Sequence, residues 1–154
     1  MYTKNHMLSI AHGPTGAFIA SKIPNPFISL PLAILAHYLQ DRVPHWDVGQ
    51  GLTSGAKNKT HSFYQELLLD FPLSIAITYF LFQYHQDFNL TIWLGWFAGL
   101  LPDFLEFPRL FLKRTTPLLS LHHRFHKLFH VSIPNKFWGL LPQLLILLAI
   151  IYFK

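Results

Sequence analysis

The sequence predicts an all-α fold: a compact helical integral membrane bundle of about five to six helices, one domain over residues 1–154. Three observations predict it. Apolar residues make up 51% of the chain and charged residues only 12%, about half the share usual in a soluble domain. Four charge-free stretches divide it, Ile23 to Gln40, Phe71 to Gln86, Phe88 to Pro102 and Phe137 to Phe153, each near the short end of what crosses a bilayer. No segment shows the alternation of a half-buried strand. The same composition excludes disorder, which needs low hydrophobicity and high charge.

The elements follow in chain order. Gly13 to Ser21 and Phe27 to Asp41 read as two short helices, because Lys22-Ile23-Pro24-Asn25-Pro26 breaks the chain between them. Together they form an N-terminal helical hairpin, half-inserted, whose ends His12 and Asp41 meet on one side. Arg42 to Ser62 is the most polar segment and reads as a loop. Gln65 to Tyr84 and Leu90 to Leu112 are helices joined by the turn Gln86-Asp87-Phe88-Asn89. Leu118 to His130 is a shorter helix, stopped before Pro134. Phe137 to Phe153 is the clearest span, with Trp138 and Tyr152 at its ends as interfacial aromatics.

Basic residues orient the bundle. The 85–89 turn has none, whereas Arg42, Lys57 and Lys59 precede one helix and Arg109, Lys113, Arg114, Arg124, Lys127 and Lys136 follow the other. The positive-inside rule places both basic regions in the cytoplasm, and so an inner-membrane location. The net charge of +5 alone does not make nucleic acid an expected partner, since no aromatic platform accompanies it. No signal-peptide pattern opens the chain. Cysteine is absent, which removes disulfides, thiolate metal ligands and a cysteine nucleophile.

The chemistry lies in histidine and carboxylate. His37, Asp41 and His45 recur at i, i+4, i+8, and Asp47 follows; Pro44 decides whether the helix carries the row to its end. Glu66 and Asp70 form an i, i+4 pair, Asp103 and Glu106 an i, i+3 pair. His122, His126 and His130 form a second row beside His123, and His12 opens the hairpin. The topology gathers all of these at the cytoplasmic end. Imidazole and carboxylate at helical spacing are what a divalent metal needs, and Asp103 inside an apolar helix points to function by its cost. Taken singly, each residue has a plainer reading: the His122–His130 row as a basic interfacial helix on anionic lipid, Glu66 and Asp70 as a solvated first turn, Asp103 as a partner of Arg109. His6 and His85 read as surface groups. No phosphate loop or Gly-x-Ser-x-Gly elbow exists, which argues against a serine hydrolase.

Two motifs add a resemblance. His37-Tyr38-Leu39-Gln40-Asp41 followed by Pro44-His45 resembles the metal-binding helix of the zinc-dependent phospholipase C and P1 nuclease group, with a shorter interval from Asp to His. Gly99-Leu100-Leu101-Pro102-Asp103, with His123-Arg124 and His126 downstream and Ala11-His12-Gly13 upstream, is similar to the YdjM-like membrane-bound metal-dependent hydrolases. The resemblance touches most of residues 11 to 130 through short motifs. It implies zinc, one to three ions.

The combined expectation is a metal site at the cytoplasmic membrane interface that hydrolyses a phosphoester of a lipid or another amphiphile. Its expected ligands are His37, Asp41, His45, Asp103, His126 and His130, joined by His12 and Asp47. Glu66 or Asp70 orients a ligand or acts as general base. The alternative is non-enzymatic, a small membrane protein that binds or moves a metal ion or serves as a scaffold. Gathering of polar groups at one end favours a site over a path.

Overall fold

The computed structural model describes residues 9–46 and 63–154. Among them the chain is all-helical: α1 Ser9–Lys22, α2 Pro26–Asp41, α3 Phe63–Phe82, α4 Leu90–Phe111, α5 Pro117–Phe129 and α6 Lys136–Phe153. The only non-helical pairing there is an isolated parallel bridge between His45 and Ser132. The expected ligand Asp47 and much of the expected 42–62 loop, His61 included, lie outside the described residues, as does His6.

Three helices, α3, α4 and α6, are long and apolar enough to cross a membrane, which is consistent with membrane association. Their outer faces carry exposed Leu and Phe side chains, such as Leu68, Leu73 and Phe80 on α3 and Leu144, Leu148 and Ile151 on α6. In a bilayer these faces are solvated by acyl chains. At 14 residues, α1 is about 21 Å long, short of a hydrocarbon core of about 30 Å.

Helix α1 is the hub. It packs against α2, α3, α4 and α6, and it does so by being thin. Gly13, Gly16, Ala17 and Ala20 are buried along it. A Cβ on Gly16 would strike the Gly95 carbonyl of α4, and one on Gly99 would strike the His12 carbonyl of α1. This is the small-residue contact that lets two helix backbones approach in a membrane. A core of Ala17, Phe82, Ile92, Trp96, Leu100 and Ile150 closes around it.

The sequence placed the start of α1 at Gly13, four residues late. The first turn forms because α3 supplies the missing acceptors. Ser9 N–H donates to Asp70 Oδ2 at 2.6 Å and Ile10 N–H to Asp70 Oδ1 at 3.2 Å. Ser9 Oγ donates to Glu66 Oε1 at 2.8 Å, and Ser74 Oγ donates to the Ser9 carbonyl at 2.7 Å. The orphan N–H groups of a buried helix start are thereby satisfied in trans. Glu66 and Asp70 themselves sit on a π-helical turn within α3, a feature common at functional positions.

At the opposite margin the chain leaving α2 and the chain leaving α5 run side by side. Val131 N–H donates to the Asp41 carbonyl at 2.9 Å, His45 N–H to the Val131 carbonyl at 3.2 Å, and Ile133 N–H to the His45 carbonyl at 2.8 Å. Trp46 docks on α6, where Gly139 leaves room for its backbone and Gln143 Nε2 donates to its carbonyl at 2.6 Å.

Candidate metal centre

Five segments deliver side chains to one point. α1 brings His12, α2 brings His37 and Asp41, α4 brings Asp103, α5 brings His126, and the paired post-helix segments bring His45 and His130. Asp41 is central. Its Oδ1 lies 3.3 Å from His12 Nε2, and its Oδ2 lies 2.7 Å from His126 Nε2 and 3.5 Å from His37 Nε2. His37 Nε2 is also 3.7 Å from Asp103 Oδ1 and 3.3 Å from His126 Nε2. His45 and His130 meet Nε2 to Nε2 at 3.1 Å.

Two ligands about 2.05 Å from one zinc at the tetrahedral angle stand about 3.3 Å apart, so these separations have the right scale. Three groups satisfy metal-holding geometry: His12, His37 and Asp103; His37, Asp41 and His126; Asp41, His45 and His130. Six of the seven residues are buried, and Asp103 is the partly open one, its side chain 17% exposed.

The rings are also aimed. His12 Nδ1 contacts Gln40 Oε1 at 2.8 Å, while Gln40 Nε2 donates to Thr15 Oγ1 at 2.6 Å, which fixes the amide with its oxygen toward the ring. His37 Nδ1 donates to the Gly99 carbonyl at 2.8 Å, and His45 Nδ1 to the Val43 carbonyl at 2.7 Å. A carbonyl oxygen only accepts, so each Nδ1 carries a proton, and each ring in its neutral form turns an Nε2 lone pair inward. Metal-ligating histidines are held in this way by their outer partners. His12 Nε2 and Asp41 Oδ1 are buried, face each other and form no hydrogen bond. A shared cation would satisfy both at once. The donor set therefore fits a divalent ion.

The charges in the cluster hold one another. Burial alone would push the His37 imidazole down, but the Asp103 and Asp41 carboxylates outweigh it and hold it above its usual range. Burial alone would raise the Asp41 carboxyl, but the imidazoles of His37, His12 and His126 outweigh it and hold Asp41 well below the usual carboxylate range. Burial pushes His45 down and keeps it neutral, which is the ligating form.

Both i, i+4, i+8 rows stop short of their third member as helices. α2 ends at Asp41 and α5 at Phe129. His45 and His130 reach the site on extended chain, where they contact each other. His122 does not join the metal groups. Its Nε2 lies 3.3 Å from Tyr38 Oη and its Nδ1 3.2 Å from Glu106 Oε1. His123 Nδ1 donates to Glu106 Oε2 at 3.0 Å, and Arg109 Nε donates to the same oxygen at 3.1 Å. Arg109 thus pairs with Glu106, one turn along from Asp103. This buried node ties α5 to α4. The sequence singled out Glu106, His122 and His123 but not their pairing, and Gln40 did not stand out at all. Glu66 and Asp70 meet the first turn of α1, three residues from His12. His85 is exposed in the turn after α3 with φ of 55°.

Comparison with known proteins yields no relative: no family model matches the chain, and no curated protein or solved structure matches it.

Proposed function

We propose that the chain is a membrane-bound metal-dependent hydrolase acting on a phosphoester, of a lipid or another amphiphile, with its site at the cytoplasmic face of an inner membrane. The observation that carries the reading is the aimed convergence of His12 and His37, each holding its Nδ1 proton on an oxygen and its Nε2 toward Asp41, with His45 held likewise at Nδ1 and its Nε2 on His130. When bound there, a divalent ion, zinc by the chemistry of the donors, supplies Lewis acidity to a phosphoryl oxygen.

The protein's own residues do the rest. Asp41 sets the negative charge that retains the cation, the imidazoles around it are buried, and Asp103 is the partly exposed member of the set. Asp103 marks the side from which a substrate approaches. The YdjM-like motifs agree with this reading and stand on the residues alone. Glu66 and Asp70 enter it as residues that place His12 through α1.

The test is metal analysis of detergent-purified protein, followed by a screen of phosphoester substrates with and without chelator. Bound zinc, together with chelator-sensitive phosphate release, supports the reading. Absence of bound metal after reconstitution with zinc, manganese and iron overturns it. A non-enzymatic metal-binding membrane protein is the second reading, favoured by the burial of six of the seven ligands. Bound metal without turnover would select it.

A further inference from the structure

Helix α5 is inside out. At about 100° per residue, Leu118, Leu121, Phe125 and Leu128 fall within an arc of about 80° on one face. These four are exposed, at 73%, 65%, 48% and 68%. The opposite face carries His122, His123 and His126, turned inward to Tyr38, Glu106 and Asp41. A helix on a water-soluble bundle buries its apolar face and shows its polar one. Here the polar face is satisfied by the protein, and the apolar face points away from it.

The helix is also too short to span. Its 13 residues extend about 20 Å. Thr116 caps its start, with Thr116 Oγ1 accepting from Leu119 N–H at 3.2 Å, and the chain turns extended at His130. Arg124 and Lys127, both exposed, occupy the flank between the apolar arc and the inward histidines. Lys113 and Arg114 precede the helix and Arg42 reaches its last turn, donating to the Leu128 carbonyl at 3.3 Å.

We infer that α5 lies in the interfacial plane of an anionic bilayer, with Leu118, Leu121, Phe125 and Leu128 in the acyl boundary and Arg124 and Lys127 among the headgroup phosphates. The lipid surface is then the partner that covers the outer face of the helix whose inner face presents His126. Charge and shape select it: an apolar strip one helix wide, flanked by Arg124 and Lys127 on a helix that packs against the apolar α4, matches a headgroup boundary. This placement is independent of what the metal centre catalyses.

The experiment uses the full chain in nanodiscs. The sequence has no cysteine, so Leu118→Cys, Leu121→Cys, Arg124→Cys, Phe125→Cys, Lys127→Cys and Leu128→Cys each give one labelling position on an exposed face. A bimane on each is quenched in turn by acyl-brominated lipid and by aqueous iodide. The expected result is acyl quenching with iodide protection at 118, 121, 125 and 128, and the reverse at 124 and 127. In discs of phosphatidylcholine with phosphatidylglycerol, acyl quenching at 121 exceeds that in phosphatidylcholine alone. The added changes Arg124→Gln and Lys127→Gln abolish that excess. Iodide quenching at all six positions, acyl quenching without periodicity, or protection from both quenchers by a second copy would each overturn the inference. Indifference of position 121 to phosphatidylglycerol would overturn its anionic part.

Discussion

Helices α1 and α5 are both too short to span a membrane, and both carry a histidine to the same point, yet they are held in opposite ways. α1 is buried among other helices and fixed by backbone contact, its glycines against the carbonyls of α4. α5 is peripheral, and polar pairs at Tyr38, Glu106 and Asp41 fasten its inner face. The difference teaches that the candidate centre has a rigid wall and a latched wall. His12 is placed by packing, which tolerates no added volume. His126 is placed by hydrogen bonds, which can be opened without unfolding the bundle.

The largest effect expected from this contrast is at the rigid wall. Gly16→Leu inserts a side chain where even a Cβ meets the Gly95 carbonyl, a change expected to cost about 3 kcal/mol or more. The protein should lose its monodisperse peak in detergent chromatography; a folded, metal-binding Gly16→Leu variant would break the comparison. Asp41→Ala should come next. It removes the group that faces His12, His37 and His126 together, and metal analysis should find most bound metal gone while the helical circular dichroism persists. Glu106→Gln weakens the latch at His122 and His123, and because neither is a proposed ligand, metal affinity should fall by less than the roughly tenfold expected of a direct partner of a ligand; unchanged affinity by titration would show that Glu106 does not hold α5. The smallest effect is chelation of the intact protein. Amide exchange should rise across α5 and stay unchanged across α1, and equal acceleration of both would erase the distinction between the walls.

The sequence made the rigid architecture legible only in outline. The span at Phe137 to Phe153 announces itself by a long charge-free, largely apolar run, and it forms one residue longer. The turn at Pro24 and Pro26 correctly separates α1 from α2. Ser9 to His12 did not read as helix, because the acceptors for its first N–H groups lie on Asp70, 61 and 60 positions away, and local pattern carries no trace of them. The juxtaposition of His12, His37, Asp41, Asp103 and His126 was legible from topology and spacing, since polar residues in an apolar bundle have few places to go. The meeting of His45 with His130 was legible as residues but not as geometry. Helical rows suggested two faces, whereas α2 ends at Asp41 before Pro44, α5 ends at Phe129, and two extended segments pair instead. Gln40 was invisible for a different reason: a glutamine that aims an imidazole looks like any other polar residue on α2.

The capping of α1 by Asp70 has a consequence in time. α1 comes earlier in the chain than α3 and α4, the helices that bury its glycines and accept its N–H groups. A helix of this length, with open N–H groups and little apolar surface of its own, has no stable place in lipid by itself. In the membrane-embedded fold proposed above, it waits outside the hydrocarbon during synthesis until α3 and α4 have been inserted and can receive it. His12 therefore takes its place only after Asp103 has been made and threaded. On the proposed metal reading, the ion would enter only late in biogenesis, when the nascent chain has already committed to its topology.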